Sequence, residues 1–182
     1  KIASPGRINL IGEHIDYNGG HVLPAAIDRK IKMYFRKNTS NTCTIWSQNY
    51  NTGFSFNLSE VNPSKVEWQN YILGVVHFIE EIKKGSIEGF DCIIESDLPM
   101  GSGLSSSAAL ECGMAKGLNE LFRIGLTSEE IITLSRDAEH NFVGTKCGIM
   151  DQFAVVRGEV NHLLLLNCQN LKYELIQSDI EP

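Results

Sequence analysis

Leu98-Pro99-Met100-Gly101-Ser102-Gly103-Leu104-Ser105-Ser106-Ser107-Ala108-Ala109-Leu110-Glu111 joins two segments of different periodicity. Ahead of it, Gly89 to Glu95 sets Phe90, Cys92 and Ile94 alternately against Asp91, Ile93 and Glu95, the period of a strand. Behind it, Ala108 to Phe122 places Leu110, Met114, Ala115, Leu118, Leu121 and Phe122 at helical spacing with few β-branched residues, which predicts a helix with one buried face. The two glycines and the run of hydroxyls between them leave backbone N–H groups uncovered at the positive end of that helix, where an anion is favoured. Two readings fit the loop alone: a phosphate cradle, or a simple helix cap with Ser105 or Ser106 at the N-cap. It is not a Walker A loop, because no Gly-Lys-Ser/Thr closes it. Nor is it a full dinucleotide fingerprint, because Ser106 stands where the third glycine would be.

The 182 residues, 42% of them hydrophobic, suffice for one well-buried domain. The net charge of −6 comes without a basic stripe and argues against a nucleic-acid or anionic-membrane surface. No apolar run approaches the roughly 20 residues of a membrane span and no signal peptide opens the chain, so the expected setting is cytoplasmic. Cys43, Cys92, Cys112, Cys147 and Cys168 form no C-x-x-C pair and suggest neither a disulfide framework nor a zinc site. The chain starts at Lys1 without a methionine and stops at Pro182, and both ends read as cuts.

Near the N-terminus, Ile2 to Ile11 is β-like but broken by Ser4-Pro5-Gly6, and Gly12 to Gly20 is a loop rich in Gly, Asn and Asp. Arg7, Glu13, His14, Asp16 and Asn18 crowd into this region, either as a solvated turn or as hydrogen-bonding groups for a small, hydroxyl-rich ligand. Strands are predicted at Lys30 to Arg36, Cys43 to Ser47 and Phe54 to Leu58, as an antiparallel meander. Trp68 to Lys84 is an amphipathic helix with Ile72, Val75, Val76, Ile79 and Ile82 on its apolar face. Thr127 and Glu130 form a capping box that opens a helix running to about Phe142. Glu139 and His140 lie on its last turn, and the loop Val143 to Gln152 follows. Phe153 to Val156, His162 to Asn167 and Lys172 to Gln177 then read as strands. The expected fold class is α+β, one domain over 1–182.

Three of these stretches carry a resemblance. Pro99-x-Gly101-x-Gly103-Leu104-Ser105-Ser106-Ser107-Ala108 resembles the nucleotide loop of the GHMP small-molecule kinases. Pro5-Gly6-Arg7-Ile8-Asn9-Leu10-Ile11-Gly12-Glu13-His14-Ile15-Asp16-Tyr17-Asn18 is similar to the signature of the galactokinase branch, which usually has Thr where this chain has Ile15. Gly148-Ile149-Met150-Asp151-Gln152 is similar to that branch's third motif. The resemblance implies the two-layer α+β N-terminal domain of the family with a left-handed phosphate-loop crossover. Within it, 1–60 would be the galactose-recognition segment and 98–111 the nucleotide loop, and the C-terminal domain would lie outside the chain.

The implied activity is ATP- and Mg²⁺-dependent phosphorylation of the anomeric hydroxyl of galactose. The alternatives are a kinase for N-acetylgalactosamine or another sugar, and a non-catalytic galactose sensor; the complete Ser105 to Ala109 run favours an enzyme. By resemblance, Pro99, Gly101, Ser102, Gly103, Leu104, Ser105, Ser106 and Ser107 hold the nucleotide phosphates. Ser107 and Glu139 hold Mg²⁺, and Glu13, His14, Asp16 and Gly148 orient the sugar. Asp151 faces the accepting hydroxyl and Arg7 stabilises charge beside it. Trp68 is either a core anchor or an aromatic beside the adenine.

Overall fold

The computed structural model describes residues 1–99 and 101–178. A five-stranded sheet is built from β1 (Ile2–Asn9), β3 (Pro24–Lys37), β6 (Phe90–Ser96), β4 (Thr42–Ser47) and β5 (Thr52–Asn57), in that spatial order. A smaller sheet has the order β2 (His21–Val22), β7 (His162–Asn167) and β8 (Tyr173–Gln177). Helices α1 (Glu67–Ile82), α2 (Ser106–Phe122), α3 (Ser128–Ala138) and α4 (Met150–Arg157) complete the α+β fold. Alternation along the strands puts Ile31, Met33, Cys43, Ile45, Phe90, Cys92 and Ile94 into one core with Ile72, Val75, Val76 and Ile79 of α1 and Met114, Ala115 and Leu118 of α2. The opposite face of the large sheet leaves Trp46 and Ile93 exposed. Loop 98–105 therefore leaves the sheet at β6 and enters the core layer as α2, with its glycines outside.

Three expectations are corrected, and the choice of N-cap for α2 is resolved. The strands before α1 do not form a meander: β4 and β5 are a hairpin, but β6 inserts between β3 and β4, antiparallel to the first and parallel to the second. The turn after β3 explains why. Asn38 takes Ser40 N–H on its Oδ1 and donates Nδ2 to Asp91 of β6, and the Asn38 N–H bonds the Gly89 carbonyl, so the turn is fastened to the incoming strand. Next, β1 runs unbroken through Ser4-Pro5-Gly6, with a register shift between Pro5 and Arg7. β1 is an edge strand, where a proline's missing N–H costs no ladder bond. Phe153 to Val156 is helix, not strand, because a short apolar run that is buried on most sides carries no usable period. Finally, Ser105 occupies the N-cap position of α2 without making a side-chain cap bond, and Ser106 is the first residue of that helix. The capping box of α3 forms as predicted, and the helix continues into a π-turn at Glu139–Val143.

Within the helical layer lies a polar exception. Glu111 of α2 and Gln152 of α4 are both 0% exposed. Gln152 donates Nε2 to Glu139 Oε2 at 3.0 Å, while among the described residues neither its Oε1 nor the Glu111 carboxyl oxygens find a hydrogen-bond partner. Burial, reinforced by the Glu139 and Asp151 charges, pushes the Glu111 carboxyl well above its usual 4.5, although Gln152 opposes the shift. A neutral Glu111 has an O–H to offer where an ionised one would add a second buried charge beside Glu139.

The linkage has a definite sign. The folded chain holds this proton at pH values where the unfolded chain has lost it, so the Glu111 contribution to stability falls as pH rises above about 4.5. Glu111→Gln is therefore expected to match the wild type in urea unfolding near pH 4.5 and to be the more stable of the two at pH 8. A less stable variant at pH 8 would mean that Glu111 is ionised and paired.

Candidate active site

The site is assembled where the end of β1, the loop ahead of α2 and the start of α4 meet. Gly6 has no Cβ, and one placed there would lie 2.5 Å from Leu98 Cδ2 and 2.9 Å from the Leu104 carbonyl oxygen. This close approach lets the Arg7 N–H reach the Leu104 carbonyl at 3.1 Å and its Nη1 reach the Gly103 carbonyl at 2.7 Å. The rest of the guanidinium is a fork on Asp151, with Nε to Oδ1 at 2.7 Å and Nη2 to Oδ2 at 2.8 Å. Ser105 Oγ also donates to Asp151 Oδ2. Arg7, Gly103, Leu104, Ser105 and Asp151 thus form one hydrogen-bonded unit.

Beside it stands the polar loop after β1, which turns through the short helix Asp16–Asn18. Asp16 packs so tightly on Gly148 that a Cβ there would overlap its carboxylate. Burial raises the Asp16 pKa, opposed by the Tyr17 and Met150 N–H groups and reinforced by Asp151 and Glu13. Asn9 holds Glu13 through Nδ2 to Oε2 at 2.9 Å, and Tyr17 O–H and His14 Nδ1 are 2.9 Å apart. Glu13 and His14 are exposed. The structure thus brings Asp16, Gly148 and Asp151 together and sets Glu13 and His14 on the rim.

On the other side of the loop, Gly101, Ser106 and Ser107 line a cavity of about 460 Å³ together with Trp68, Tyr50, Asn49, Tyr71 and Leu98. Trp68 stacks on Tyr50 with ring centroids 5.6 Å apart and meets Phe54 edge-on. It is a wall of the cavity and a packing anchor together. Ser102 Oγ donates to the Pro99 carbonyl at 2.7 Å, and Gly101 and Gly103 take left-handed φ values of 67° and 72° with open space beside them, so the turn presents bare backbone. Sequence reasoning missed Tyr50 and Asn49, whose place beside Trp68 depends on contacts distant in the chain, and Tyr71, which follows Trp68 by one turn on α1. It also gave Gln152 no role.

Glu139, on the π-turn, is 7% exposed rather than on a solvated helix face. Burial raises its pKa, offset by contacts from Cys147, Ser107 and Gln152, and the Asp151 charge raises it further. A hydroxyl and a carboxylate are thereby adjacent, oxygen donors that suit Mg²⁺. No group of three or more His, Cys, Asp or Glu able to hold a metal ion alone exists among the described residues. A cation there would relieve the repulsion that Glu139 feels.

Two family descriptions match the chain: "GHMP kinases N terminal domain" over residues 70–159 and "Galactokinase galactose-binding signature" over residues 2–37. The galactokinase of Clostridium tetani is 46% identical over 97% of this chain and 45% of its own length. That of Roseiflexus sp. is 41% identical over 96% of this chain and 44% of its own. The solved structure of Lactococcus lactis galactokinase complexed with galactose superposes with a TM-score of 0.94 at 36% identity, covering 99% of this chain and 47% of that one. Methanococcus jannaschii mevalonate kinase, at 22% identity and a TM-score of 0.80, shares the fold. The chain spans about half the length of the curated relatives it matches. With the two descriptions falling on the β1 loop and on the phosphate loop with its flanking helices, the chain belongs to the GHMP kinase family as its N-terminal domain, with the galactose-binding signature of the galactokinase branch.

Proposed function

We propose that the whole protein is a cytoplasmic galactokinase, transferring the γ-phosphoryl group of ATP to the anomeric hydroxyl of galactose, and that a C-terminal domain beyond this chain completes the cleft. The observation that carries the reading is the Arg7–Asp151 fork tied to the carbonyls of Gly103 and Leu104, with Asp16 and Gly148 on its other side. A carboxylate held beside a loop suited to phosphate supports an accepting hydroxyl at that point. The Lactococcus lactis relative, solved with galactose, supports the choice of sugar.

Phosphoryl transfer asks the protein for positioning and charge neutralisation more than for covalent work. In this reading the backbone N–H groups of 101–107 cradle the phosphates, and Trp68 and Tyr50 wall the base. Asp16, Glu13, His14 and the main chain at Gly148 fix the sugar. As the anomeric oxygen bonds to the γ-phosphorus and the bond to the β-phosphate oxygen breaks, Asp151 takes the hydroxyl proton and Arg7 faces the developing charge. Ser107 and Glu139 would hold Mg²⁺, which when bound neutralises the β- and γ-phosphate oxygens.

Asp151→Asn in the full-length enzyme is expected to keep galactose and ATP binding by calorimetry while kcat falls about 10²- to 10⁴-fold. Near-normal turnover would remove Asp151 from the chemistry. Initial rates on galactose and N-acetylgalactosamine should favour galactose; a strong preference for the amide sugar would overturn the substrate and leave the kinase standing. Trp68→Ala should raise the KM for ATP by about 5- to 30-fold, the loss of one aromatic wall, with the KM for galactose unmoved. A rise in the galactose KM instead would mean that Trp68 acts through packing.

A further inference from the structure

Ser105 departs from what its position in the chain favours. It precedes α2 at φ 53° and ψ 51°, the left-handed region that a residue with a Cβ avoids. An N-cap serine ordinarily takes extended backbone and accepts a bond from the helix's own N–H groups; Ser105 does neither. Its side chain is 9% exposed and its hydroxyl donates to Asp151 Oδ2. The strained backbone and the missing cap have one result: a hydroxyl delivered from the phosphate loop to a carboxylate 46 residues away.

Counting donors shows what this does to Asp151. An ionised carboxylate has about four acceptor directions. Arg7 Nη2 and Ser105 Oγ both fall on Oδ2, and Arg7 Nε alone falls on Oδ1. The oxygen left with an open direction is Oδ1. Residues 103, 104 and 105 also touch the Arg7–Asp151 pair in succession, through two carbonyls and this hydroxyl.

We propose that Ser105 is a positioning residue for the acceptor side of the reaction: its hydroxyl is not a phosphate ligand but the donor that saturates Asp151 Oδ2, turns Oδ1 toward the accepting hydroxyl and keeps the carboxylate in register with the phosphate loop. The inference rests on the kinase reading above and adds the division of labour within the serine run.

The test compares Ser105→Gly and Ser105→Ala in the full-length enzyme. Glycine accepts the left-handed backbone without strain and alanine does not, yet both lack the hydroxyl. Both are expected to lose about 10- to 100-fold in kcat, with the KM for ATP and for galactose within about threefold of wild type, and only alanine should lower the melting temperature. In an Asp151→Asn background, Ser105→Gly should add no more than about a twofold loss, because the two residues act as one unit. Wild-type kcat in Ser105→Gly would overturn the proposal. So would a loss confined to the KM for ATP, the mark of a phosphate ligand, and so would losses that multiply in the double variant. A wild type that prefers another sugar replaces only the substrate, since the same comparisons are run on that sugar. A wild type that phosphorylates no sugar sinks the kinase reading itself, and this inference with it.

Discussion

The fork between Arg7 and Asp151 is the constraint on which the site depends. It closes a separation of 144 residues with two bonds of 2.7 and 2.8 Å, joining the end of an edge strand to the first turn of α4. A planar guanidinium meets a carboxylate in this way only when both backbones are held at the right distance and tilt. The chain arranges that through the bare Cα of Gly6, which admits Leu98 and the Leu104 carbonyl, and through the bonds from Arg7 to Gly103 and Leu104. With side-chain exposures of 12% and 24%, the pair is partly desolvated, and either partner alone would be a poorly compensated charge. The interaction therefore acts less as a source of stability than as a gauge that fixes where the loop lies relative to the carboxylate.

Negative charge is otherwise concentrated without matching cations. Asp16, Glu111 and Glu139 all have pKa values raised by burial first and by neighbouring carboxylates after it. The fold handles the three differently. Asp16 is steadied by the Tyr17 N–H at 2.8 Å, Glu139 receives Gln152, Ser107 and Cys147, and Glu111 is sealed at 0% exposure where a neutral carboxyl is favoured. An apolar residue at 111 would avoid the desolvation cost of that carboxyl. Such a cluster favours a bound cation over an additional anion.

What could be read from the sequence was whatever rests on local rules. The strand, loop and helix around 98–111, the capping box at Thr127 and Glu130, and the apolar face of α1 follow from spacing and cap chemistry, and all are present. The grouping of Arg7, Asp16, Gly148 and Asp151 was legible through resemblance, since nothing local ties residue 7 to residue 151. What failed was set by partners distant in the chain. The insertion of β6 between β3 and β4 depends on residues some fifty positions apart, and Ser105 abandons its cap because Asp151 waits beside it. Glu139 looks solvated in a regular helix, but the π-turn and the packing of Phe142 and Ala138 against Gly74 place it inside.

Helix α4 begins at Met150, inside the stretch read from the sequence as a loop, and so fixes two residues whose geometry a loop would have left open. Asp151 and Gln152 are adjacent, yet Asp151 serves Arg7 and Ser105 while Gln152 serves Glu139 and lies against Glu111. In a strand, successive side chains point to opposite faces, so one of the two would leave the α2 layer altogether. A helix turns about 100° per residue, which lets neighbours diverge while both still face the start of α2. Asp151 and the support for Glu139 then ride on one rigid turn. A displacement of that turn moves both contacts together, so their separation is fixed by a single peptide unit and not by the packing of two independent elements.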